Sequence, residues 1–215
     1  MITSLDLLEL PYTGPSANLY DPTKAIMKYL AFCESVKTPA HAVIESYEEI
    51  DTLPGNLQFP LFVKPAKAGD SLGVDDASKA NNIDDLKKKV KAILDEFGSA
   101  LVEEYIDGRE FTVLVCGNAD GRTCTSFKPV EYIFPEGFAF KTYALKTSEL
   151  HPNANIGVED VELANQLKSI AEQVFLSFNG VGYERMDFRM NNKGEIYFLE
   201  INFTCSVFYA EGYEG

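Results

Sequence analysis

The chain has 215 residues, of which 46% are hydrophobic, enough for one substantial core or two smaller lobes. Its formal net charge of −14 argues against nucleic acids and anionic membranes as general partners, and no apolar segment is long enough to span a bilayer. Four cysteines without a CxxC pair, together with two histidines, argue against a zinc site, and we expect a cytoplasmic protein with reduced thiols.

Hydrophobic periodicity predicts a succession of helices and strands along most of the chain. In chain order these are a helix at 23–36, a strand at 59–66, a helix at 83–97, strands at 99–106, 109–118 and 126–134, a helix at 160–178, and strands at 183–190 and 198–205. The strand at 59–66 leads into a loop with two glycines, KAGDSLGV at residues 67–74.

The last two strands carry polar residues at alternate positions and flank Asn191-Asn192-Lys193-Gly194, a sequence typical of a hairpin turn. A loop with an even number of residues would place Arg185 opposite Glu200, and alternation would then gather the polar residues on one face. They are Arg185, Asp187, Glu200 and Asn202. The other face would carry Met186, Phe188, Tyr197, Leu199 and Ile201. Because an odd loop would split the polar set between the faces, we adopt the even loop.

This polar face has the chemistry of a site for a hard cation. Asp187, Glu200 and Asn202 offer oxygen ligands, which suit Mg²⁺, an ion that usually keeps several waters and shares itself with substrate phosphates. Arg185 adds a planar cation suited to an oxyanion or a phosphate. The alternative is a salt-bridged sheet face, in which Arg185 pairs with Glu200 and Asn202 caps a strand end.

Two upstream segments are compatible with a nucleotide site. Lys64 ends a strand just before the glycine loop, whose backbone amides could approach phosphates. Glu110 follows the turn after the strand at 99–106 and is placed to meet a ribose hydroxyl. Taken alone, the glycine loop is more commonly explained as a surface turn, and the segment with Glu110 is merely a strand and a turn. We interpret Lys67 of the loop as a solvated lysine.

Five segments, in this order, resemble the ATP-grasp superfamily and most closely its D-alanine–D-alanine ligase group. They are LPYTGPSANLYDPTK, FPLFVKPAKAGDSLGV, LVEEYIDGREFTV, FKTYALK and YERMDF with GEIYFLEIN, and they extend from Leu10 to Asn202. The resemblance implies an α+β fold in two lobes, each with a mainly antiparallel sheet and helices, that clamp a nucleotide between them. It implies a small lobe at 21–108 with the glycine loop and a large lobe at 109–215 with the metal-binding hairpin. Residues 1–20 would be a remnant or linker of a missing N-terminal substrate domain.

The resemblance also implies which residues contact ATP. They are Lys24, Lys64, Gly69, Ser71, Glu103, Glu104, Tyr105, Ile106, Glu110, Lys146 and Asn202. In this set Lys24 and Lys64 would contact the phosphates, residues 103–106 would frame the adenine, and Glu110 would meet the ribose.

The implied activity is ATP-dependent ligation of a carboxylate to an amine by way of an acyl phosphate, with small amino acids or peptides as substrates. Asp187, Glu200 and Asn202 would hold two Mg²⁺ ions, with Mn²⁺ as an alternative metal. The implied catalytic residues are Lys146, which would reach the terminal phosphate, and Arg185, which would stabilise the oxyanion.

The chain departs from those ligases where they select amino acids. Asp70 stands where the ligases favour a serine, Thr147 stands where they often carry an aromatic residue, and the segment after Asn202 differs. The resemblance therefore does not fix the substrates. Two alternatives stay open, a non-catalytic or regulatory ATP/Mg²⁺-binding module and a half-site that needs the missing domain or a second copy of the chain.

Overall fold

The computed structural model describes residues 2–12, 15–17, 22–69, 71–142 and 154–205. Within them lie four α-helices, which are α1 (Ile2–Leu7), α2 (Lys24–Cys33), α3 (Ile83–Phe97) and α4 (Val161–Ser177). Short 3₁₀ turns occur at Tyr47–Thr52 and Asp76–Ser78. None of the helices in this part of the chain combines the length and apolar character that crossing a membrane requires.

The strands form two antiparallel sheets. The smaller sheet has the order β1-β4-β2-β3, with β1 at His41–Ile44, β2 at Leu61–Pro65, β3 at Lys79–Ala80 and β4 at Ala100–Glu104. The larger has the order β10-β9-β5-β7-β8, with β6 also paired to β5. Its strands are β5 (Gly108–Gly117), β6 (Cys124–Ser126), β7 (Val130–Tyr132), β8 (Asn155–Gly157), β9 (Tyr183–Asn191) and β10 (Ile196–Asn202). The predicted α+β class is confirmed.

The helix ends follow local capping chemistry. The Thr23 hydroxyl accepts a hydrogen bond from the Ile26 amide at the start of α2, and the Asn82 and Asp160 side chains cap α3 and α4 in the same way. Helix α3 ends at Gly98, whose φ of 76° is the left-handed conformation that glycine adopts most readily. These signals mark where the three helices begin and where α3 ends.

Each sheet has its own hydrophobic core. The smaller core lies under α3 and includes Val63, Leu86, Val90, Ile93 and Val102. The larger lies under α4 and includes Phe111, Leu167, Phe175, Met186 and Phe198. Helix α2 contributes Met27 and Ala31 to the larger core, although its sequence position falls within the predicted small lobe. The lobe boundaries therefore stay predictions.

The β9–β10 hairpin has an odd loop, contrary to our prediction. The Asn191 amide bonds to the Glu195 carbonyl, so three residues form the turn, and Gly194 has a φ of 79°. A left-handed glycine at the end of a three-residue loop is the usual way to close such a hairpin. Next to this turn, Phe188 lies opposite Phe198 in the core.

A β-bulge at Leu199 restores the polar face farther along the hairpin. The register shifts between Phe198 and Glu200, so that Glu200 lies opposite Asp187 and Asn202 lies opposite Arg185. The predicted Arg185–Glu200 pairing is wrong, but the four polar residues still share a face, because directly opposite residues point the same way. The prediction that Tyr197 and Leu199 share a face with Met186 and Phe188 is also wrong, since Phe198 takes the position opposite Phe188 in the core and Leu199 lines the cleft.

Candidate functional site

A cleft between the two sheets gathers most of the predicted site residues. Those that line it are Lys24, Lys64, Ser71, Glu103, Glu104, Tyr105, Ile106, Glu110, Arg185, Asp187 and Glu200. Gly69 and Asn202 line an adjoining pocket that shares Lys24 and Glu200 with the cleft. Lys146, Asp70 and Thr147 lie outside the described residues.

The cleft differs in charge from the rest of the chain. Its described lining carries the five cations Lys24, Lys64, Lys141, Arg185 and Arg189, and the five carboxylates Glu103, Glu104, Glu110, Asp187 and Glu200. The whole chain has a net charge of −14. Because screening limits the reach of distant charges to about 8–10 Å, the local balance governs which ligands the cleft admits.

Asp187 is held in place from two sides. Its Oδ1 accepts a hydrogen bond of 2.9 Å from Thr112 Oγ1 on β5, and its Oδ2 accepts one of 3.0 Å from Asn202 Nδ2 on β10. Arg185 Nε lies 3.6 Å from Oδ1. The Asp187 side chain is about one-fifth exposed, so the carboxylate is oriented and the residue is still accessible to a ligand in the cleft.

Lys24 connects the glycine loop to the hairpin. It is the first residue of α2, and its Nζ lies 3.3 Å from Glu200 Oε2 and donates a hydrogen bond of 2.6 Å to the Ala68 carbonyl. A flexible ammonium at this position can reach toward an anion in the cleft while the helix fixes its backbone.

The donors at the hairpin fit a hard divalent cation. Asp187, Glu200 and the amide of Asn202 present oxygen ligands on one face, the donor type that Mg²⁺ prefers. Within the described ranges, no group of three or more His, Cys, Asp or Glu residues is arranged to hold a metal ion. Two carboxylates and one amide suit Mg²⁺, which usually keeps several waters and shares itself with substrate phosphates.

Glu103 lies between two buried lysines. Its Oε1 is 2.7 Å from Lys64 Nζ and its Oε2 is 2.7 Å from Lys28 Nζ, and all three side chains are almost fully buried. Burial by itself would raise the pKa of Glu103, but the two ammonium groups outweigh it and lower that pKa to about 2. Burial lowers the pKa of Lys28. Burial also acts to lower the pKa of Lys64, but the carboxylates of Glu103, Glu200 and Glu110 together outweigh it and raise that pKa.

The comparisons with known proteins agree with this geometry. A family described as D-ala D-ala ligase C-terminus matches residues 26–207. The chain belongs to this family. The D-alanine–D-alanine ligase of Enterococcus faecalis is 29% identical over 209 residues, which cover 92% of this chain and 58% of that protein. The chain thus spans little more than half the length of the curated relatives it matches.

Solved structures of ligases share the fold of this D-Ala–D-Ala ligase-family domain. The D-alanyl-alanine synthetase A of Vibrio cholerae aligns with a TM-score of 0.74 at 23% identity, over 94% of this chain and 62% of that one. The D-alanine–D-alanine ligase of Bacillus anthracis, solved in complex with ATP, aligns with a TM-score of 0.70 at 20% identity, over 94% of this chain and 62% of that one. The predicted ATP-grasp fold is therefore confirmed.

The cleft of this ligase-family domain has an aromatic end. Phe62, Tyr105 and Phe140 form a cluster in which the rings of Phe62 and Phe140 meet edge to face, with centroids 5.0 Å apart. The Tyr105 hydroxyl donates a hydrogen bond of 2.9 Å to the Ala139 carbonyl. Flat apolar surfaces of this kind suit a planar ring system.

Three cations of the domain were missed in the sequence prediction. Arg189 and Lys141 line the cleft, and Lys28 pairs with Glu103 just behind it. Alternation along β9 could have identified Arg189, because it lies two positions from Asp187 and four from Arg185. Lys28 gave no such signal, because a lysine on a helix is usually solvated and its carboxylate partner comes from a distant strand.

Proposed function

We propose that this chain is the nucleotide-binding part of an ATP-dependent carboxylate–amine ligase. The observation that carries the proposal is the shared face of Asp187, Glu200 and Asn202, with Arg185 beside it and Lys24 within 3.3 Å of Glu200. A sheet face needed merely for stability has no use for this combination of oxygen ligands and cations in an open cleft.

The arrangement of the cleft supports an extended, triphosphate-bearing ligand. Its aromatic end, with Phe62, Tyr105 and the backbone of residues 104–106, suits a purine, and Glu110 suits a ribose hydroxyl. Lys24 and Lys64 would then meet the phosphates. The structure of the Bacillus anthracis ligase with ATP supports ATP as this ligand.

Asp187, Glu200 and Asn202 would hold the magnesium ions. When bound, Mg²⁺ supplies charge neutralisation for the phosphates and helps to align them. The hydrogen bonds from Thr112 and Asn202 would keep Asp187 directed toward the cleft. The ion pair between Lys24 and Glu200 would loosen as the lysine turns to a phosphate.

The proposed reaction joins a substrate carboxylate to a substrate amine. The carboxylate attacks the terminal phosphate of ATP and forms an acyl phosphate with release of ADP, and the amine then displaces phosphate to give the amide. Arg185 would stabilise the oxyanion of the second step. The role of Lys146 at the terminal phosphate stays a prediction. We propose small amino acids or peptides as substrates and a cytoplasmic setting.

A second candidate function is a nucleotide-binding half-site that turns over when a further domain or a second copy supplies the amino-acid site. The observation in its favour is the chain's 58% coverage of the Enterococcus faecalis ligase. Both candidates require the same Mg²⁺–nucleotide site, so one binding experiment tests what they share.

That experiment is calorimetric titration of a non-hydrolysable ATP analogue with and without Mg²⁺. We expect the chain to bind the analogue when Mg²⁺ is present and Glu200→Ala to lose that binding. Glu159→Ala is the matched control, because Glu159 forms an ion pair with Lys128 on the surface and its side chain is 86% exposed. Equal binding by the chain and Glu200→Ala would overturn the metal assignment. In a separate assay, phosphate release from ATP on adding amino acids to the chain and Mg²⁺ would separate the ligase from the half-site.

A further inference from the structure

Arg189 is a buried cation of the cleft to which the resemblance assigns no role. It follows Asp187 by two positions on β9 and lines the same cleft. Its side chain is 5% exposed. A buried guanidinium is costly unless its donors are paired, so its partners indicate what it does.

The guanidinium divides its donors between a carboxylate and two backbone carbonyls. Nη1 lies 3.3 Å from Glu110 Oε2. Nη2 donates to the carbonyls of Gly108 at 2.9 Å and Ala139 at 3.0 Å, and lies 3.5 Å from the Tyr105 hydroxyl. Because the guanidinium is planar and rigid, fixing Nη2 on two carbonyls also fixes where Nη1 meets Glu110.

Two aromatic rings also contact the guanidinium of Arg189. The guanidinium carbon lies 5.1 Å from the ring centroid of Tyr105 and 5.7 Å from that of Phe134, within the range of a cation–π attraction. Arg189 therefore joins β9, the connection between β4 and β5, and the segment after β7 at one point of the cleft.

We propose that Arg189 is a positioning residue for ribose recognition, setting the Glu110 carboxylate to accept a hydrogen bond from a ribose hydroxyl of the nucleotide. The inference rests on the proposed function. A carboxylate accepts up to about four hydrogen bonds, so the contact of Oε2 with Arg189 is compatible with a ribose on the same group. The positive charge of Arg189 also offsets the charge of Glu110 beside a polyanionic ligand.

The test compares ATP with 2′-deoxy-ATP and 3′-deoxy-ATP, each titrated calorimetrically into the chain with Mg²⁺. A hydrogen bond from a ribose hydroxyl to a charged group predicts a preference for ATP of about 10- to 100-fold over the analogue that lacks that hydroxyl. Arg189→Met should reduce this preference to about threefold or less, because Glu110 is no longer held. If Arg189 has a merely structural role, Arg189→Met should weaken the binding of all three nucleotides equally and leave the preference for ATP intact.

Two further variants make the test selective. Arg109→Met is the matched control, because Arg109 forms a bidentate ion pair with Glu131 on the same sheet but does not line the cleft, and we expect it to keep the full preference. Arg189→Lys keeps the positive charge but lacks the planar guanidinium with its fixed N–H donors. It provides a second variant in case Arg189→Met does not fold. It should show a preference between those of the chain and Arg189→Met.

Three results would count against the proposal. An unaltered ribose preference in both Arg189 variants would overturn this inference and leave the proposed function standing. A reduced preference in Arg109→Met would overturn it as well, since the effect would not depend on the cleft. Failure of the unmodified chain to bind any of the three nucleotides would overturn the inference together with the proposed function.

Discussion

Lys28 Nζ lies 2.7 Å from Glu103 Oε2, and this ion pair joins a helix packed on the large core to a strand of the small sheet. On its other side Glu103 meets Lys64, which lines the cleft. Lys28 would therefore keep Glu103 neutralised when Lys64 turns toward a phosphate. The connection between the lobes and the charge of the cleft depend on the same buried group.

Replacing Lys28 with methionine should destabilise the fold strongly. The substitution leaves the Glu103 carboxylate buried with one cation instead of two, and breaking a buried ion pair in this way costs about 3–5 kcal/mol. Urea denaturation followed by circular dichroism measures the change in the free energy of unfolding. Lys37→Met is the control, because Lys37 pairs with Glu195 on the surface and should contribute far less. Similar losses of unfolding free energy in the two variants would show that the buried pair stabilises the fold no more than the surface pair does.

Glu184 should make the stability of the domain fall between mildly acidic and mildly alkaline pH. The side chain is fully buried, and neither oxygen forms a hydrogen bond of good geometry within the described residues. Burial raises its pKa from 4.5 to about 8, although the Val181 backbone amide acts in the opposite direction. The folded state thus binds a proton that the unfolded chain releases, so its stabilising effect is present below pH 4.5 and is lost as the pH rises through about 8.

Glu184→Gln should remove this pH dependence. At pH 8.5 we expect it to be more stable than the unmodified chain, by at most about 5 kcal/mol, and the difference should shrink toward pH 5. Urea unfolding at both pH values measures it, with Glu96→Gln on the exposed face of α3 as the control. A constant difference between Glu184→Gln and the unmodified chain at the two pH values would contradict the assigned pKa.

The hairpin shows what the sequence can and cannot predict. Alternating polar residues correctly bring Asp187, Glu200 and Asn202 to one face. The local pattern does not reveal that a three-residue loop and the bulge at Leu199 each shift the register by one residue in the same direction, so that together they restore the shared face but move the pairing by two residues. The metal-type face was thus predictable, whereas its pairing depends on two irregularities that alternation alone cannot detect.

Most of the elements and site residues that the sequence does not predict are short strands or buried cations. Strands β3 and β8 have two and three residues, too few for a periodic signal, and their pairing partners define them. The predicted strand at 126–134 is instead divided between β6 and β7, on either side of Lys128-Pro129. The roles of Lys28 and Arg189 become visible only through their ion-pair partners Glu103 and Glu110, which are distant in sequence.

Gly108 should tolerate no side chain at the start of β5. Its φ is 141°, and a Cβ at this position would lie 2.1 Å from the Met190 carbonyl oxygen, which is backbone and cannot rotate away. Strained conformations of this kind cost about 1–3 kcal/mol before the clash is counted, so Gly108→Ala should lower the free energy of unfolding by at least that range. Thermal denaturation measures it. Gly55→Ala is the control, because no atom lies within 4 Å of its added Cβ, and equal losses in the two variants would refute the clash.

Thr112 should matter for the metal site more than for folding. Its hydroxyl donates to Asp187 Oδ1 at 2.9 Å, across neighbouring strands. Thr112→Val keeps the shape of the side chain and removes this donor, which frees Asp187 to turn away from the cleft. Hydrogen bonds to charged groups contribute about 1.5–3 kcal/mol, so Mg²⁺-dependent binding of the ATP analogue should weaken by about 10- to 100-fold.

Titrating Mg²⁺ at a fixed concentration of the analogue gives the midpoint for Thr112→Val, which is the Mg²⁺ concentration at half-maximal binding of the analogue. The control is Thr125→Val on β6, whose hydroxyl bonds to the exposed Asn118 side chain and not to a cleft residue. We expect that control to reproduce the midpoint of the unmodified chain. If Thr112→Val also reproduces it, the hydroxyl does not orient Asp187 for the metal. If both variants shift it equally, the effect comes from the sheet and not from the carboxylate.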